Sequence, residues 1–172
     1  MDRRSFVLLG SMAALAACGA PPGGGPQVGA NGRPLAQVYK INSLNEGKIS
    51  FRLLDSVNAL RGAKGLSPLA FNAALNAAAA AHSRDMSVQN RPWHFGSDGS
   101  SPLVRVQRVG YGGRLVGELI SETYQTEVET LAVWMEQADT RDVVMDPTAR
   151  EIGFAWYQEP NGKIWWTLVT GA

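Results

Sequence analysis

The chain is poor in the side chains that carry redox and metal chemistry. Among 172 residues there is one cysteine, Cys18, and there are two histidines, His82 and His94. A single cysteine excludes an internal disulfide and any zinc site built on two or more thiolates. Charge of one sign is also lacking. Sixteen Lys and Arg against fifteen Asp and Glu leave a formal net charge of +1, so no general basic field recommends a nucleic-acid partner. Long apolar runs are missing too: the stretch from Phe6 to Ala17 is too short to cross a hydrocarbon core of about 30 Å as a helix. Neither an internal repeat nor an alternating βαβ pattern is visible, and no Gly-x-Ser-x-Gly elbow marks a hydrolase nucleophile. Asp98 in Gly-Ser-Asp-Gly-Ser lacks the alternating acids and closing glutamate of a calcium loop and reads as a turn.

What is present begins at the N-terminus. Arg3-Arg4 precede the apolar run, which ends in Leu15-Ala16-Ala17-Cys18 followed by Gly19. A charged region, a short apolar region and a small-residue cleavage site are the layout of an export signal. Arg3-Arg4 with Phe6 resembles a twin-arginine signal, and an ordinary secretory signal carrying Arg-Arg is the alternative. Leu15 to Cys18 resembles the lipobox of bacterial lipoproteins, which implies a lipid on Cys18 and a membrane partner reached through it. Gly19, where aspartate marks inner-membrane retention in enteric bacteria, favours the outer membrane on its periplasmic side. Pro21-Pro22-Gly23-Gly24-Gly25-Pro26 and the glycines and prolines after it are too polar and broken to bury a core. The expected organisation is therefore an export signal over residues 1–18, a tether over 19–48 and a folded domain over 49–172. A flexible tether of that length spans on the order of 30 Å. The remainder, roughly 125 residues, is enough for one core and not two.

Within that domain the spacing of Leu53, Leu54, Val57 and Leu60 predicts a helix from Ser50 to about Lys64, stopped at Gly65. Asn72 caps a second, alanine-rich helix to about Gln89, with Leu75, Ala78, Ala79, His82 and Met86 inward. Ser101-Pro102 opens a short third helix through Val109. Leu115 to Ile120 reads as a strand and Glu127 to Gln137 as a fourth helix. Asn161-Gly162 between the β-prone runs Glu151–Tyr157 and Lys163–Thr170 predicts a hairpin. Helices leading into late strands give an α+β fold with a small, mostly antiparallel sheet between helices.

The residues in their order resemble the CAP superfamily, also called the SCP domain, in its compact bacterial form. The carriers are Leu54-Asp55-Ser56-Val57-Asn58-Ala59-Leu60-Arg61, Leu66-Ser67-Pro68-Leu69, Ala81-His82-Ser83-Arg84-Asp85-Met86, His94, Gly117-Glu118, Val133-Trp134-Met135, Asp146-Pro147 and Glu151-Ile152-Gly153. The resemblance spans about Ile49 to Gly171 and implies an α-β-α sandwich. It also implies a cleft that in many relatives gathers two histidines and acidic residues and in some binds a divalent metal. Carried over by position, that cleft falls on His94, Glu118, Gln137 and Thr140. Thr140 stands where the second histidine is expected, and Leu119 replaces the asparagine after the glutamate.

With that set depleted, the sequence predicts no tightly bound metal and no cofactor. His94 and Glu118 are the candidates for general acid–base work; the competing reading is a histidine that hydrogen-bonds a carboxylate to hold a loop. His82, on an alanine-rich apolar face, reads as a satisfied core histidine. Trp165 and Trp166 alternate across a strand; plain packing of both is the preferred reading, and one in the core with the other lining a groove is the alternative. The functional expectation is a lipid-anchored envelope protein acting as a non-enzymatic binding module for a lipid, small molecule or envelope component. An envelope hydrolase using His94 and Glu118, or a structural surface protein, are the alternatives. Oligomeric state leaves no mark in the sequence.

Overall fold

The computed structural model describes residues 39–122 and 126–172. The expected export signal, Cys18 and most of the tether lie outside the described residues. Five helices and four strands run in the order α1 (Glu46–Gly62), β1 (Ala70–Phe71), α2 (Ala73–Gln89), α3 (Pro102–Arg108), β2 (Leu115–Glu122), α4 (Glu127–Glu136), α5 (Ala138–Val144), β3 (Glu151–Gln158) and β4 (Ile164–Gly171). The sheet order is β1-β3-β4-β2, with β3 and β2 antiparallel to β4 and the short β1 parallel to β3. This is the α+β sandwich expected from the sequence.

The hairpin β3–β4 is the spine, and its alternation sets the two faces. Phe154, Trp166 and Leu168 point to one side, where Ile49, Leu53 and Val57 of α1, Leu131 and Trp134 of α4 and Val144 of α5 complete a core. Phe154 stacks on Trp166 with centroids 5.6 Å apart and ring planes 8° from parallel. The other face carries Gly153, Ala155, Trp165, Thr167 and Val169; α2 covers it through Leu75, Ala78 and Ala79, joined by Val106 of α3 and by Tyr111. Trp165 and Trp166 point to opposite faces and both are fully buried, as plain packing requires; neither lines a groove.

The alanine-rich face of α2 follows from how closely that helix lies on the sheet. A Cβ built on Gly153 would fall within contact distance of the Leu75 carbonyl and 2.5 Å from the Asn76 nitrogen. The Asn76 side chain accepts the Phe154 N–H at 2.8 Å, which fixes helix and strand in register. At its start the Asn72 side chain accepts from Ala74 and Leu75, as a cap should. At its end Asn90 adopts φ +48°, the left-handed conformation asparagine tolerates at a helix terminus.

Local expectations differ in four places, one of them the unforeseen two-residue strand β1. α1 starts one turn before Ser50, because a turn at Asn42–Asn45 feeds it: Asn42 N–H donates to Asn45 Oδ1 at 2.8 Å and Leu44 N–H to Asn42 Oδ1 at 2.9 Å. Folded structure accordingly reaches into the expected tether, with Tyr39 and Ile41 against the core and the Ile41 N–H donating to Gln158 Oε1 at 2.9 Å. α5 is an additional helix. Gln137 breaks α4 with extended dihedrals and no side-chain cap, so neither glycine nor proline announced it. The links around α5 are drawn in by Arg61, fully buried, which donates to the carbonyls of Ser67, Val144, Asp146 and Ala149 at 2.8–3.2 Å.

Gly153→Ala is expected to cost about 3 kcal/mol or more, since the obstacle is backbone and cannot rotate away. Gly62→Ala, where the added carbon meets nothing within 4 Å, should stabilise by about 0.5–1 kcal/mol through helix propensity. Urea denaturation of the two variants checks both signs.

Candidate functional site

The sequence places a carboxylate, Glu118, on β2 opposite Val169 of β4. Alternation turns it toward the α2/α3 face, while Leu119 enters the core beneath α1 and α4. Glu118 is almost completely buried, its side chain 3% exposed. A carboxylate there needs a cation or several donors. Arg105, the fourth residue of α3, supplies the charge: Nη2 lies 2.8 Å from Glu118 Oε1 and 2.6 Å from Oε2. Its guanidinium also donates to the His94 carbonyl at 2.9 Å and, through Nη1, to the Ser100 carbonyl at 2.9 Å. One buried arginine therefore fastens the 94–101 loop, the start of α3 and the edge strand together.

His94 completes the contact from the solvent side. Its Nδ1 lies 2.9 Å from Glu118 Oε1. An ionised carboxylate only accepts, so Nδ1 carries the proton and Nε2 is the outward nitrogen of a side chain that is 48% exposed. The loop bearing it is held by α2: Asp85 accepts from the Ser97 N–H at 2.7 Å and from its hydroxyl at 2.5 Å. Asp98 closes the turn, accepting the Ser100 N–H at 2.9 Å and pairing with Arg108 at 2.8 Å. Hydrogen bonds from Ser100, then the Arg108 guanidinium, hold the Asp98 carboxyl well below the usual carboxylate range. The expected turn at Asp98 is present.

His82 is where the structure departs most from its sequence reading. It is core and fully buried, but no side chain satisfies it: neither ring nitrogen has a side-chain partner at full hydrogen-bond distance, Nε2 stands 3.6 Å from Glu118 Oε1, and the Trp93 backbone is its polar neighbour on the main chain. Burial pushes its pKa down; Glu118 opposes that shift and Arg105 reinforces it. Two histidines thus flank one carboxylate oxygen, the second coming from α2 and not from position 140.

Gln137 and Thr140 are placed elsewhere. The face of β2 bearing Gly117 looks onto α5, since a Cβ there would meet Val143 at 2.7 Å. With Ile120, Ser121, Val133 and Trp134, Gln137 and Thr140 line a separate cavity of about 180 Å³. The Thr140 hydroxyl donates to the Trp134 carbonyl at 2.5 Å, a local bond that closes the α4–α5 junction. Of the four positions carried over, the structure brings together His94 with Glu118, and Gln137 with Thr140.

The donor set does not fit a metal ion. Among the described residues no group of three or more His, Cys, Asp or Glu side chains is arranged to hold one. His82, His94 and Glu118 do converge, but the Arg105 cation occupies both carboxylate oxygens and would repel a divalent ion. Arg105 is the residue that the sequence did not disclose. It sits in Leu103-Val104-Arg105-Val106, where the apolar residues suggest the inward face, yet Leu103 and Val104 are exposed and Arg105 is buried.

Comparison with known proteins gives the fold an ancestry. The family model described as CAP, cysteine-rich secretory protein family, matches residues 54–170. No curated protein matches the sequence. An outer surface protein from Borrelia burgdorferi superposes with a TM-score of 0.68 at 13% identity, over 78% of this chain and 98% of that one. An extracellular SCP-domain protein from Bacillus anthracis gives 0.63 at 22% identity, and a cysteine-rich secretory protein from Staphylococcus aureus gives 0.59 at 16%. The match covers 76% and 77% of this chain but only 45% and 40% of theirs. At such identities the likenesses bear on fold alone.

Buried, neutral His82 makes stability depend on pH. The unfolded chain takes up a proton near pH 6.5, before the native state does, so stability falls as pH drops through that value and levels off below the native pKa. Thermal denaturation between pH 7.5 and 5 should show this loss, and His82→Leu should flatten it. The carboxylates whose pKa is lowered by hydrogen bonds, Asp98, Asp146, Glu151 and Glu159, act in a separate window below about pH 4.5.

Proposed function

The chain belongs to the CAP family of cysteine-rich secretory proteins, and we propose that it is an exported, lipid-anchored envelope protein whose site at His94 and Glu118 binds a ligand without turning it over. The observation that carries this reading is the state of Glu118: both oxygens are taken by Arg105 and one also by His94. A general base needs an oxygen free to receive a substrate proton within hydrogen-bond reach. Glu118 instead anchors His94 and presents its outer nitrogen on a fixed ring. His94 is flanked in sequence by Trp93 and Phe95, which are 41% and 45% exposed with centroids 5.4 Å apart, the Trp93 ring being covered by Arg91 at 3.9 Å. A half-exposed imidazole in such a loop suits a lipid or small molecule that combines an apolar body with one polar group.

One feature favours a second reading. Nδ1 donation to a carboxylate leaves His94 Nε2 able to accept a proton, the orientation in which a histidine serves as base. An envelope hydrolase would use it so. The state of Glu118, with both oxygens already engaged, is why binding is preferred. Mass spectrometry of the natively purified protein should find a bound lipid or small molecule, and His94→Ala should lower its occupancy about tenfold. Turnover of an envelope substrate, lost when His94→Ala and Glu118→Ala are combined, would establish the hydrolase instead.

Anchoring rests on Leu15-Ala16-Ala17-Cys18. No helix among the described residues is long and apolar enough to cross a membrane. Acyl chains on Cys18 would attach the protein, each buried CH₂ contributing ~0.8 kcal/mol. The Gly19 position supports the outer membrane, facing the periplasm. Cys18→Ser should move the protein from the membrane to the soluble periplasmic fraction or leave its precursor uncleaved; unchanged fractionation would reject the anchor.

A further inference from the structure

The start of α1 carries an apolar surface that the site at Glu118 does not use. Leu44 is 84% exposed and Phe51 62% exposed. With Lys48, Arg52 and Asp55 they line one shallow concavity of about 530 Å³. Lys48, Phe51 and Asp55 recur at helical spacing along one side of α1, and Leu44, in the turn before the helix, lines the same concavity. Phe51 meets the rest of the protein only edge-on among its ring contacts, with Phe71 at 6.1 Å. Burying Phe51 further inside the fold is not open to it, because the inward face of α1 is already filled by Ile49, Leu53 and Val57.

The position of this surface identifies its occupant. Tyr39, the first described residue, receives a hydrogen bond from Arg52 Nη2 at 3.0 Å, and Arg52 lines the same concavity. The main chain of Tyr39 is held by Gln158 Nε2 at 2.6 Å. The chain that leads back to Cys18 therefore departs at the end of β3, five residues before Leu44, with the Tyr39 ring reaching Arg52. If Cys18 is held in a bilayer, as proposed above, residues 19–38 join that bilayer to this end of the domain. Were they to behave as a flexible chain, their reach would be on the order of 25 Å. Two exposed apolar side chains are too few for a stable protein interface, which takes about 800 Å² per partner. They suffice at a lipid surface when a tether supplies the local concentration. Lys48, between them in the chain, suits the phosphates of lipid headgroups. The Arg52 charge is already engaged by Glu127 at 2.7 Å, which leaves that arginine fixing the patch against α4.

We infer that Leu44 and Phe51 form a membrane-contacting patch that inserts into the headgroup boundary of the bilayer in which the protein is anchored, setting the orientation of the domain on its membrane. The inference rests on the anchoring reading, but its test need not. Non-lipidated chain 18–172 can be coupled through Cys18, its only cysteine, to a maleimide lipid in vesicles of phosphatidylethanolamine and phosphatidylglycerol. Hydroxyl-radical footprinting then compares the oxidation of Phe51 and Leu44 on vesicles with that in solution. Val88, 77% exposed on α2, serves as the reference.

The expected result is at least a threefold loss of oxidation at Phe51 and Leu44 on vesicles, with Val88 unchanged. Leu44→Asp should restore the reactivity of Phe51. Equal oxidation with and without vesicles would overturn the inference. So would protection of Phe51 already present in solution, which would assign the patch to residues 19–38 or to a second copy of the chain. Because the maleimide supplies the tether, these outcomes are independent of whether cells lipidate Cys18, which fractionation of Cys18→Ser decides separately.

Discussion

The pairing of Arg105 with Glu118 is the interaction on which this face of the molecule depends. Both groups are buried, and neither could be so without the other, since an isolated charge in such surroundings costs several kcal/mol. Each brings a different element: Glu118 belongs to the edge strand β2, and Arg105 to a helix of seven residues. So short a helix has little stability of its own. Tied to β2 through the ion pair and to the preceding loop through the carbonyls of His94 and Ser100, it becomes a fixed wall, and His94 is positioned on that wall.

The opposite side of the pair depends on close packing. α2 can approach the sheet because Gly153, Ala78 and Ala79 present almost no side chain, and this approach brings His82 to within 3.6 Å of Glu118. A larger residue at 153 would lift α2 and with it Asp85, which holds the 94–101 loop through Ser97. Packing on one face of β3 is thus coupled to the placement of His94 some distance away, through contacts that can be named one by one. The other face of the sheet, filled by Phe154 and Trp166 against α1, α4 and α5, supplies the bulk of the apolar burial and takes no part in the site.

Much of this could be read from the sequence because the signals were local. Asn72 and Ser101-Pro102 each cap a helix through their own side chain or ring, and Asn161-Gly162 lies between strands of opposite direction. The family likeness then supplied the order of layers, and the match over residues 54–170 agrees with it. What stayed hidden was set by tertiary contacts. α5 begins without a cap, β1 is two residues long and exists only through pairing with β3. Arg105 is inward because Glu118 is there, and nothing in its own neighbourhood says so. His82 looked like an ordinary core residue, and its ring becomes meaningful only once Glu118 lies beside it. Counting along the chain placed Gln137 and Thr140 in one cleft with Glu118; the alternation of β2 and the break at Gln137 put them around Ser121 and Trp134 instead.

Both oxygens of Glu118 lie within hydrogen-bond distance of Arg105, and one of them also holds the His94 ring. A double-mutant cycle on stability tests the coupling of Arg105 and Glu118 most directly. Arg105→Met and Glu118→Gln are each expected to cost about 3 kcal/mol, because each leaves a buried polar or charged group unpaired. The double variant should cost at least about 1.5 kcal/mol less than their sum. Additive losses would mean that the two side chains are not coupled, and the account of Glu118 as an arginine-held anchor would fail.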